Sequence, residues 1–473
     1  MHKDHAPNTP PPFRPIISSI GTYNYHLAKF LCKLLKPYIP LDYCAMDTFT
    51  FVQELNELHS YGKFLISFDV ESLFTNIPLD ESISIAIDYI TKNDKNSTFN
   101  KEERRKLFTL ATAQSHFLFN GEFFDQIDGV AMGSPLAPVL ANLFMGHHEK
   151  LWLQQYTGPN VLFYRRYVDD TFCLFETKDD ALLFFDYLNT RHSNIKFTME
   201  TEIDKKLPFL DILIDNNDPT GPITSVYHKK TYTGLLTNFF SFCPWSYKTG
   251  LVRTLVDRTF RINNRNNGLH QDLKNLIHTL RRNCFPLALL NKIIDSYRNK
   301  VSSVIASEAV QTVPNNIVHY YKLPYIGSFS KVAQNKIRLL AKRFCNNLDI
   351  KLVCTSFKIS KLFNVKDSCP DGLRSRVVYK FSCAGCNACY IGETRRHFST
   401  RVREHLSSDR NSHIYKHLHS SQSCLNVCSG DCFSILDSAS TPFQLKIKEA
   451  IHIEWEKPSL NKQLQHLNVT LNI

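Results

Sequence analysis

Three aspartates are the residues of this chain best suited to chemistry. Asp69 closes the apolar run KFLISFDV, from Lys63 to Val70, and Asp169 and Asp170 stand in the middle of VLFYRRYVDDTFCLF, about a hundred residues further on. Carboxylates at strand ends are hard oxygen donors. Three of them converging can hold two Mg²⁺ ions about 4 Å apart, one activating an attacking hydroxyl and the other steadying a leaving pyrophosphate. An isolated Asp pair in a hairpin ordinarily serves the turn itself, so the surrounding elements decide whether phosphoryl transfer is in play. A second set lies near the C terminus, where Cys383, Cys386 and Cys389 form a C-x-x-C-x-x-C run. Two thiolates at that spacing chelate zinc tetrahedrally, and a loop too short for its own core gains stability from the bond.

The elements that must position these groups are legible in outline. Residues 22–36 and 48–59 read as helices, and Lys63–Val70 as a short apolar strand ending at a carboxylate. HFLFNGEFFDQI places Asn120 and Gly121 between two aromatic strands, a hairpin signal. PLAPVLANLFMGHHEK, after Gly133, reads as a helix, the YVDD segment as two strands meeting at a tight acidic turn, and IKFTMETE and LPFLDILID as further strands. The fold class is therefore α/β (α+β), with acidic residues at strand ends. From about Leu251 to Cys345 the pattern is helical and rich in Arg, Lys and Asn, and KDSCPDG (Lys366–Gly372) reads as a linker into a last unit of roughly a hundred residues.

At 473 residues and 54.6 kDa the chain exceeds one ordinary core, so two or three domains are expected. A net charge of +12 and a pI near 8.9 favour a polyanionic partner, because neutralising phosphates releases condensed counterions. The first residues, MHKDHAPNTPPPF, lack the apolar core of a signal peptide, and no stretch reaches the roughly 18 apolar residues of a membrane span. The 14 cysteines are accordingly expected in a reducing compartment, where clustered thiols read as metal ligands.

Three motifs in order carry a resemblance to reverse transcriptases. YVDD at Tyr167–Asp170 resembles the motif C turn, and FDVESLF at Phe68–Phe74 resembles motif A. GSPLAPVLANL, from Gly133, is similar to motif B. The resemblance implies that Phe74 excludes a ribose 2′-hydroxyl and that Gly133 lets backbone approach template and nucleotide. It implies further that Arg14, in PFRPIISS, grips the triphosphate and that Lys196, in IKFTME, protonates pyrophosphate. PFLDILI resembles the primer-grip hairpin region, with Asp211 in a supporting role.

The C-terminal stretch RSRVVYKFSCAGCNACYIGETRRHFSTRVREHL resembles a GIY-YIG endonuclease core of the Penelope type. Tyr379 stands for the first tyrosine, although Val377 and Val378 replace Gly-Ile, and Tyr390, Ile391 and Gly392 reproduce the second half. Arg401 follows at the family's spacing, with His405 in the next turn; Glu449 matches the metal carboxylate and Asn461 the closing asparagine. A tyrosine phenolate, or the water it polarises, would attack DNA phosphate while Arg401 offsets transition-state charge and Glu449 holds one Mg²⁺. In such nucleases two cysteines pair with two downstream histidines, which His417 and His413 can supply here, while Cys424, Cys428 and Cys432 compete for the second place. The ligand set the resemblance implies here is Cys383, Cys386, His417 and Cys432.

Together the two resemblances imply a Penelope-like retroelement protein: an RNA-directed DNA polymerase coupled to a DNA endonuclease for target-primed retrotransposition. Mg²⁺ is expected at both sites and zinc in a structural role, with RNA template, DNA primer and target, and deoxynucleoside triphosphates as partners, no membrane, and the nucleus as site of action. The implied layout is a residual fingers segment (1–60), a palm (61–215), a helical thumb or connector (216–345), a linker (346–375) and the nuclease with its zinc insert (376–473). Penelope-like polymerases carry a further fingers motif ahead of RPIISS, so an N-terminally truncated chain is expected. The alternative is a protein with nuclease activity alone, whose palm serves as a nucleic-acid platform.

Overall fold

The computed structural model describes residues 16–94, 99–113, 116–304, 318–344, 349–356, 362 and 369–461. Contacts divide the chain into two compact units, Met1–Phe117 with Phe123–Phe363, and Asn364–Ile473 with the hairpin tip Leu118–Glu122.

The chain runs α1 (Tyr25–Leu35), α2 (Thr48–Asn56), β1 (Phe64–Val70), α3 (Leu73–Asn76), α4 (Leu79–Asn93) and α5 (Lys101–Thr112). It continues through the hairpin β2 (His116–Phe119) and β3 (Glu122–Asp125), α6 (Ala137–Gln155), β4 (Phe163–Tyr167), β5 (Asp170–Phe175), α7 (Lys178–Asn189) and β6 (Phe197–Thr201). Four of these strands form an antiparallel sheet in the order β4-β5-β1-β6. Successive side chains of a strand point to opposite faces. Ile66, Phe68 and Val70 of β1 accordingly pack with α4, α6 and α7, while Leu65 joins Phe172, Leu174 and, from α2, Phe51 and Leu55. Ser67 and Asp69 thus fall on the α2 face, where the apolar packing ends and an opening begins. Local chemistry sets the helix starts: Asp47 accepts from the Phe49 and Thr50 amides, and Thr177 with Asp180 forms a capping box.

A second, three-stranded sheet follows, made of β7 (Lys206–Phe209), β8 (Ile212–Asp215) and β9 (Ile223–Val226). LPFLDILID is therefore a hairpin and not one strand; Leu210 and Asp211 both take positive φ (48° and 62°), which closes a two-residue turn. The basic region holds α8 (Trp245–Ile262), α9 (Asn266–Arg282) and α10 (Leu287–Val304), packed through Val252, Val256, Leu273, Leu280 and Leu290. Sequence periodicity missed a two-stranded parallel pair, β10 (Val318–Pro324) inside this region and β11 (Asp349–Thr355) inside the stretch expected to be a linker (346–375), joined across α11 (Phe329–Phe344). Parallel strands require such a crossover, and both are short segments rich in β-branched and aromatic residues.

The second unit contains β12 (Val377–Ser382), β13 (Cys389–Thr394), α12 (Phe398–Arg403), α13 (His413–His419), α14 (Gln422–Val427), β14 (Phe433–Ser438) and α15 (Pro442–Glu456). Its sheet runs β13-β12-β14, antiparallel throughout. Val377, Tyr379 and Phe381 face a core with Phe398, Ile414, Leu418 and Phe433, while Val378 and Ile391 meet Leu445 of α15 on the other face. Among the described residues no helix is long and apolar enough to cross a membrane.

Candidate functional site

In the first unit the β1–β5 register sets Asp69 directly opposite Asp170. The β4–β5 hairpin closes through Val168 and Asp169, between the paired residues Tyr167 and Asp170, and the Val70 amide donates to the Asp169 carbonyl at 3.0 Å. All three carboxylates line one cleft of about 770 Å³, with Ser67, Thr198, Glu200, Asp211 and Lys229. Burial, and next the adjacent Asp169, push the Asp170 carboxyl up to about 6; Glu200 adds to the effect and Lys229 opposes it. A partly desolvated group of hard oxygen donors that resists holding its full negative charge fits a divalent cation such as Mg²⁺.

Gly133 has φ +120°, and a Cβ there would lie 2.0 Å from the Ile17 carbonyl oxygen. The close backbone approach it permits is to the Ile17–Ser19 segment, tied down by Ser19 Oγ donating to the Gly133 carbonyl at 2.9 Å. Phe74, on α3, is half-buried against the main core and is not among the cleft-lining residues. Lys196 is exposed, and its ammonium donates to the Asn189 carbonyl at the end of α7, 2.9 Å away. Arg14 lies outside the described residues. Asp211 lines the cleft and pairs with Arg258 at 3.2 Å. Sequence reasoning missed Lys229 and Glu200, which carry no motif and reach the cleft only through the fold.

In the second unit Tyr379 is 1% exposed. Its hydroxyl bonds His405 Nε2 at 2.6 Å and accepts from Arg401 Nε at 3.3 Å, while His405 Nδ1 bonds Ser412 Oγ. Burial, and then Arg401, press His405 down to about 4, so the ring is neutral and Tyr379 donates to it. Burial also raises Tyr379 well above the ordinary phenol range, with Tyr390 adding to it. Tyr379 is therefore a protonated, enclosed anchor, whereas the half-buried Tyr390 is the more accessible phenol. Arg401 also pairs with Glu404 and Asp409, each at 3.1 Å. Gly392 gives both rings room: a Cβ there would lie 2.7 Å from Tyr390 Cε1 and 2.8 Å from the Tyr379 hydroxyl.

Glu449, on α15, is pushed up to about 7 by burial and by Glu393, one of whose oxygens is buried without a hydrogen-bond partner among the described residues. Two carboxylates crowding one another in this way fit a cation held beside Tyr390, whose phenol Glu449 helps keep protonated. Asn461 spends its amide on the backbone, accepting from the Ile391 amide at 2.9 Å and donating to the Ile391 carbonyl at 2.7 Å. It pins β13 and so fixes the strand that carries Tyr390.

Cys383, Cys386, His417 and Cys424 present ligand atoms that all lie within 4.8 Å of one another. This corrects the set Cys383, Cys386, His417 and Cys432. Cys424 sits in the first turn of α14, against the Cys383–Cys386 loop, whereas Cys432 lies in the turn leading to β14 and packs on the apolar core. His413 lies against the Tyr390 ring instead. A mixed thiolate–imidazole set of four suits zinc. Glu81 with His148 and His192 is a different case. His148 and His192 bond the two oxygens of Glu81 at 3.0 and 3.2 Å, and the Asn194 amide donates to His192 Nδ1, which leaves that ring's proton on Nε2 for Glu81. This group is a hydrogen-bonded clasp that ties α4 to α6 and to the loop after α7.

A four-stranded antiparallel sheet that gathers three carboxylates at its strand ends has the donor set that two-metal phosphoryl transfer requires. Residues 6–205 match the family described as reverse transcriptase (RNA-dependent DNA polymerase), so this part of the chain is similar to a reverse transcriptase domain. Residues 235–295 match the animal helix-turn-helix domain, which corresponds to α8, α9 and the first half of α10. No curated protein matches the chain. Among solved structures it is similar to apo telomerase from Candida tropicalis truncated from its C-terminal domain, at 15% identity and a TM-score of 0.32, covering 42% of this chain and 45% of that one. It is likewise similar to Candida albicans telomerase in complex with the TWJ fragment of telomeric RNA, at 10% identity and a TM-score of 0.37, covering 60% and 48%. A third is the BmCPV RNA-dependent RNA polymerase at elongation state, at 16% identity and a TM-score of 0.33, covering 59% and 26%. The chain thus spans less than half the length of each of these proteins.

Proposed function

We propose that this chain is the protein of a Penelope-like retroelement, in which the reverse transcriptase domain is coupled to a GIY-YIG endonuclease for target-primed retrotransposition. The observation that carries the nuclease half is the gathering of Tyr379, Tyr390, Arg401 and His405 around one hydrogen-bonded centre, with Glu449 close enough to both tyrosines to disfavour their phenolates. Arg401 supplies positive charge for a phosphate, Tyr390 is the accessible phenol, and the Tyr379–His405–Ser412 chain holds the frame rigid. Glu449, with Glu393 beside it, would hold Mg²⁺, which when bound stabilises charge on the departing oxygen.

In the palm, Asp69, Asp169 and Asp170 would hold Mg²⁺, which supplies activation of a primer 3′-hydroxyl and stabilisation of pyrophosphate. The chain's own residues orient it: the sheet register fixes two carboxylates face to face, and Lys229 balances their charge. Cys383, Cys386, His417 and Cys424 would hold a structural zinc that ties α13 and α14 to the β12–β13 loop. The basic helices α8–α10 suit contact with duplex phosphates, and the partners are RNA template, DNA primer and target, and deoxynucleoside triphosphates. Action on chromosomal DNA places the work in the nucleus. Linkage of the two activities in one chain keeps a nicked end near the polymerase by raising its effective concentration.

The test is a coupled reaction with supercoiled plasmid, RNA and deoxynucleoside triphosphates. The chain should yield complementary DNA covalently joined to nicked plasmid. Glu449→Ala should lose nicking yet still extend a supplied primer, and Asp169→Asn should nick without extension. Nicking undiminished in Glu449→Ala would overturn the nuclease assignment.

A further inference from the structure

Among the described residues Arg166 is the largest fully buried side chain, and it stands directly before the YVDD turn without being part of it. It sits on β4, two residues before the strand turns at Val168. Val168 has φ +58°, the left-handed region, at the first central position of a two-residue hairpin turn, where glycine is the ordinary occupant. A β-branched residue there is strained and persists only when its surroundings over-determine it.

The surroundings are a buried guanidinium. Arg166 Nη1 donates to the Val168 carbonyl at 2.8 Å and to Asn142 Oδ1 at 2.9 Å. Its Nε donates to Glu149 Oε1 at 2.7 Å, an oxygen that also accepts from the Tyr164 hydroxyl at 2.6 Å. Nη2 faces Cys44 Sγ at 3.4 Å. Asn142 and Glu149 both belong to α6, the helix entered through the Gly133 segment. One fork thus joins that helix to the turn carrying Asp169 and Asp170. Arginine suits the task because its donors are fixed in a plane and reach several acceptors together, which a lysine cannot do.

We infer that Arg166 is a positioning residue for the polymerase: through the Val168 carbonyl it holds the strained turn that presents Asp169 and Asp170, and it locks that turn to α6. The inference rests on the polymerase reading of the palm. Loosening the fork lets Val168 relax toward negative φ and swings the two carboxylates off Asp69, so turnover falls while substrate binding is spared.

The experiment uses the full chain and compares Arg166→Lys, Val168→Gly and the double variant. Arg166→Lys keeps the charge beside Glu149, and its kcat on an RNA template should fall about tenfold or more, with KM for nucleotide changed less than about threefold. Val168→Gly removes the strain, so in the double variant kcat should return to within about threefold of Val168→Gly alone. Should Arg166→Lys not fold, Asn142→Ala removes one anchor of the fork and carries the same prediction, rescue included, at smaller size. An unchanged kcat, or a loss that Val168→Gly does not rescue, would show that Arg166 merely fills the core.

Failure of the polymerase reading is separable, since it appears as no extension by the wild-type chain. In that event Mn²⁺ binding in a Glu449→Ala background, read by electron paramagnetic resonance, still decides. Binding should weaken in Arg166→Lys and recover in the double variant, and equal binding in all three would overturn the inference.

Discussion

Asp69 and Asp170 face one another across the antiparallel pair β1–β5, with Asp169 in the adjoining turn, so three carboxylates share one partly buried cleft. Without a cation the arrangement is repulsive, and function is stored there at the expense of stability. Asp170→Asn should therefore raise the stability of the metal-free chain by about 1 kcal/mol in thermal melts. The same variant should lower RNA-templated extension by about 10³-fold or more, since a metal ligand is lost.

The pH dependence has a definite sign. Asp170 titrates near 6 in the fold against an ordinary 3.8, and Glu449 near 7 against 4.5. Folded values raised in this way mean that the fold prefers the protonated groups, so their contribution to stability falls as pH rises through 3.8–6 and 4.5–7. Cation binding needs the ionised groups and therefore strengthens over the same windows. The Mg²⁺ concentration for half-maximal nicking should rise roughly tenfold per pH unit below 7, and that for extension should do so only below 6. Titrations of Mg²⁺ at several pH values check both.

Two glycines are demanded by contact. An alanine Cβ at Gly133 would lie 2.0 Å from a backbone oxygen, at φ +120°, whereas at Gly392 it would meet two aromatic rings at 2.7 to 3.0 Å. Gly133→Ala should destabilise the first unit by about 2 kcal/mol or more and free the Ile17–Ser19 segment to proteolysis. Gly392→Ala should displace Tyr390 and abolish nicking with extension intact. Limited proteolysis and the two activity assays separate these outcomes.

Zinc content discriminates between the competing cysteines. Cys424→Ser should lose zinc and lower the melting temperature of the second unit, because metal binding there is folding free energy. Cys432→Ser should keep its zinc. Elemental analysis of the purified full-length variants provides the comparison.

Much of the fold was legible because period and punctuation agree with it. The apolar run ending at Asp69, the Asn120–Gly121 turn and the helix after Gly133 were each specified locally, as was the YVDD hairpin. The hairpin of LPFLDILID was legible only through its likeness to a primer-grip hairpin and not from local turn chemistry, since its turn uses Leu210 and Asp211 at positive φ in place of glycine or asparagine. The β10–β11 pair depends on a parallel crossover, which no local pattern announces. At the sites, residues within motifs were found and residues delivered by tertiary packing were not. Lys229 reaches the cleft from beyond β9, and Glu393 becomes notable only once α15 brings Glu449 to it. Cys424 was one of three equally spaced candidates, and only the fold of α14 distinguishes it from Cys432.

The most direct test of the central claim is incorporation of deoxynucleotides by the full chain on a primed RNA template with Mg²⁺, beside Asp169→Asn at equal concentration and equal melting behaviour. Template-dependent extension by the wild-type chain, absent in the variant, is the predicted result. Equal extension by both would contradict a palm whose carboxylates carry out the chemistry.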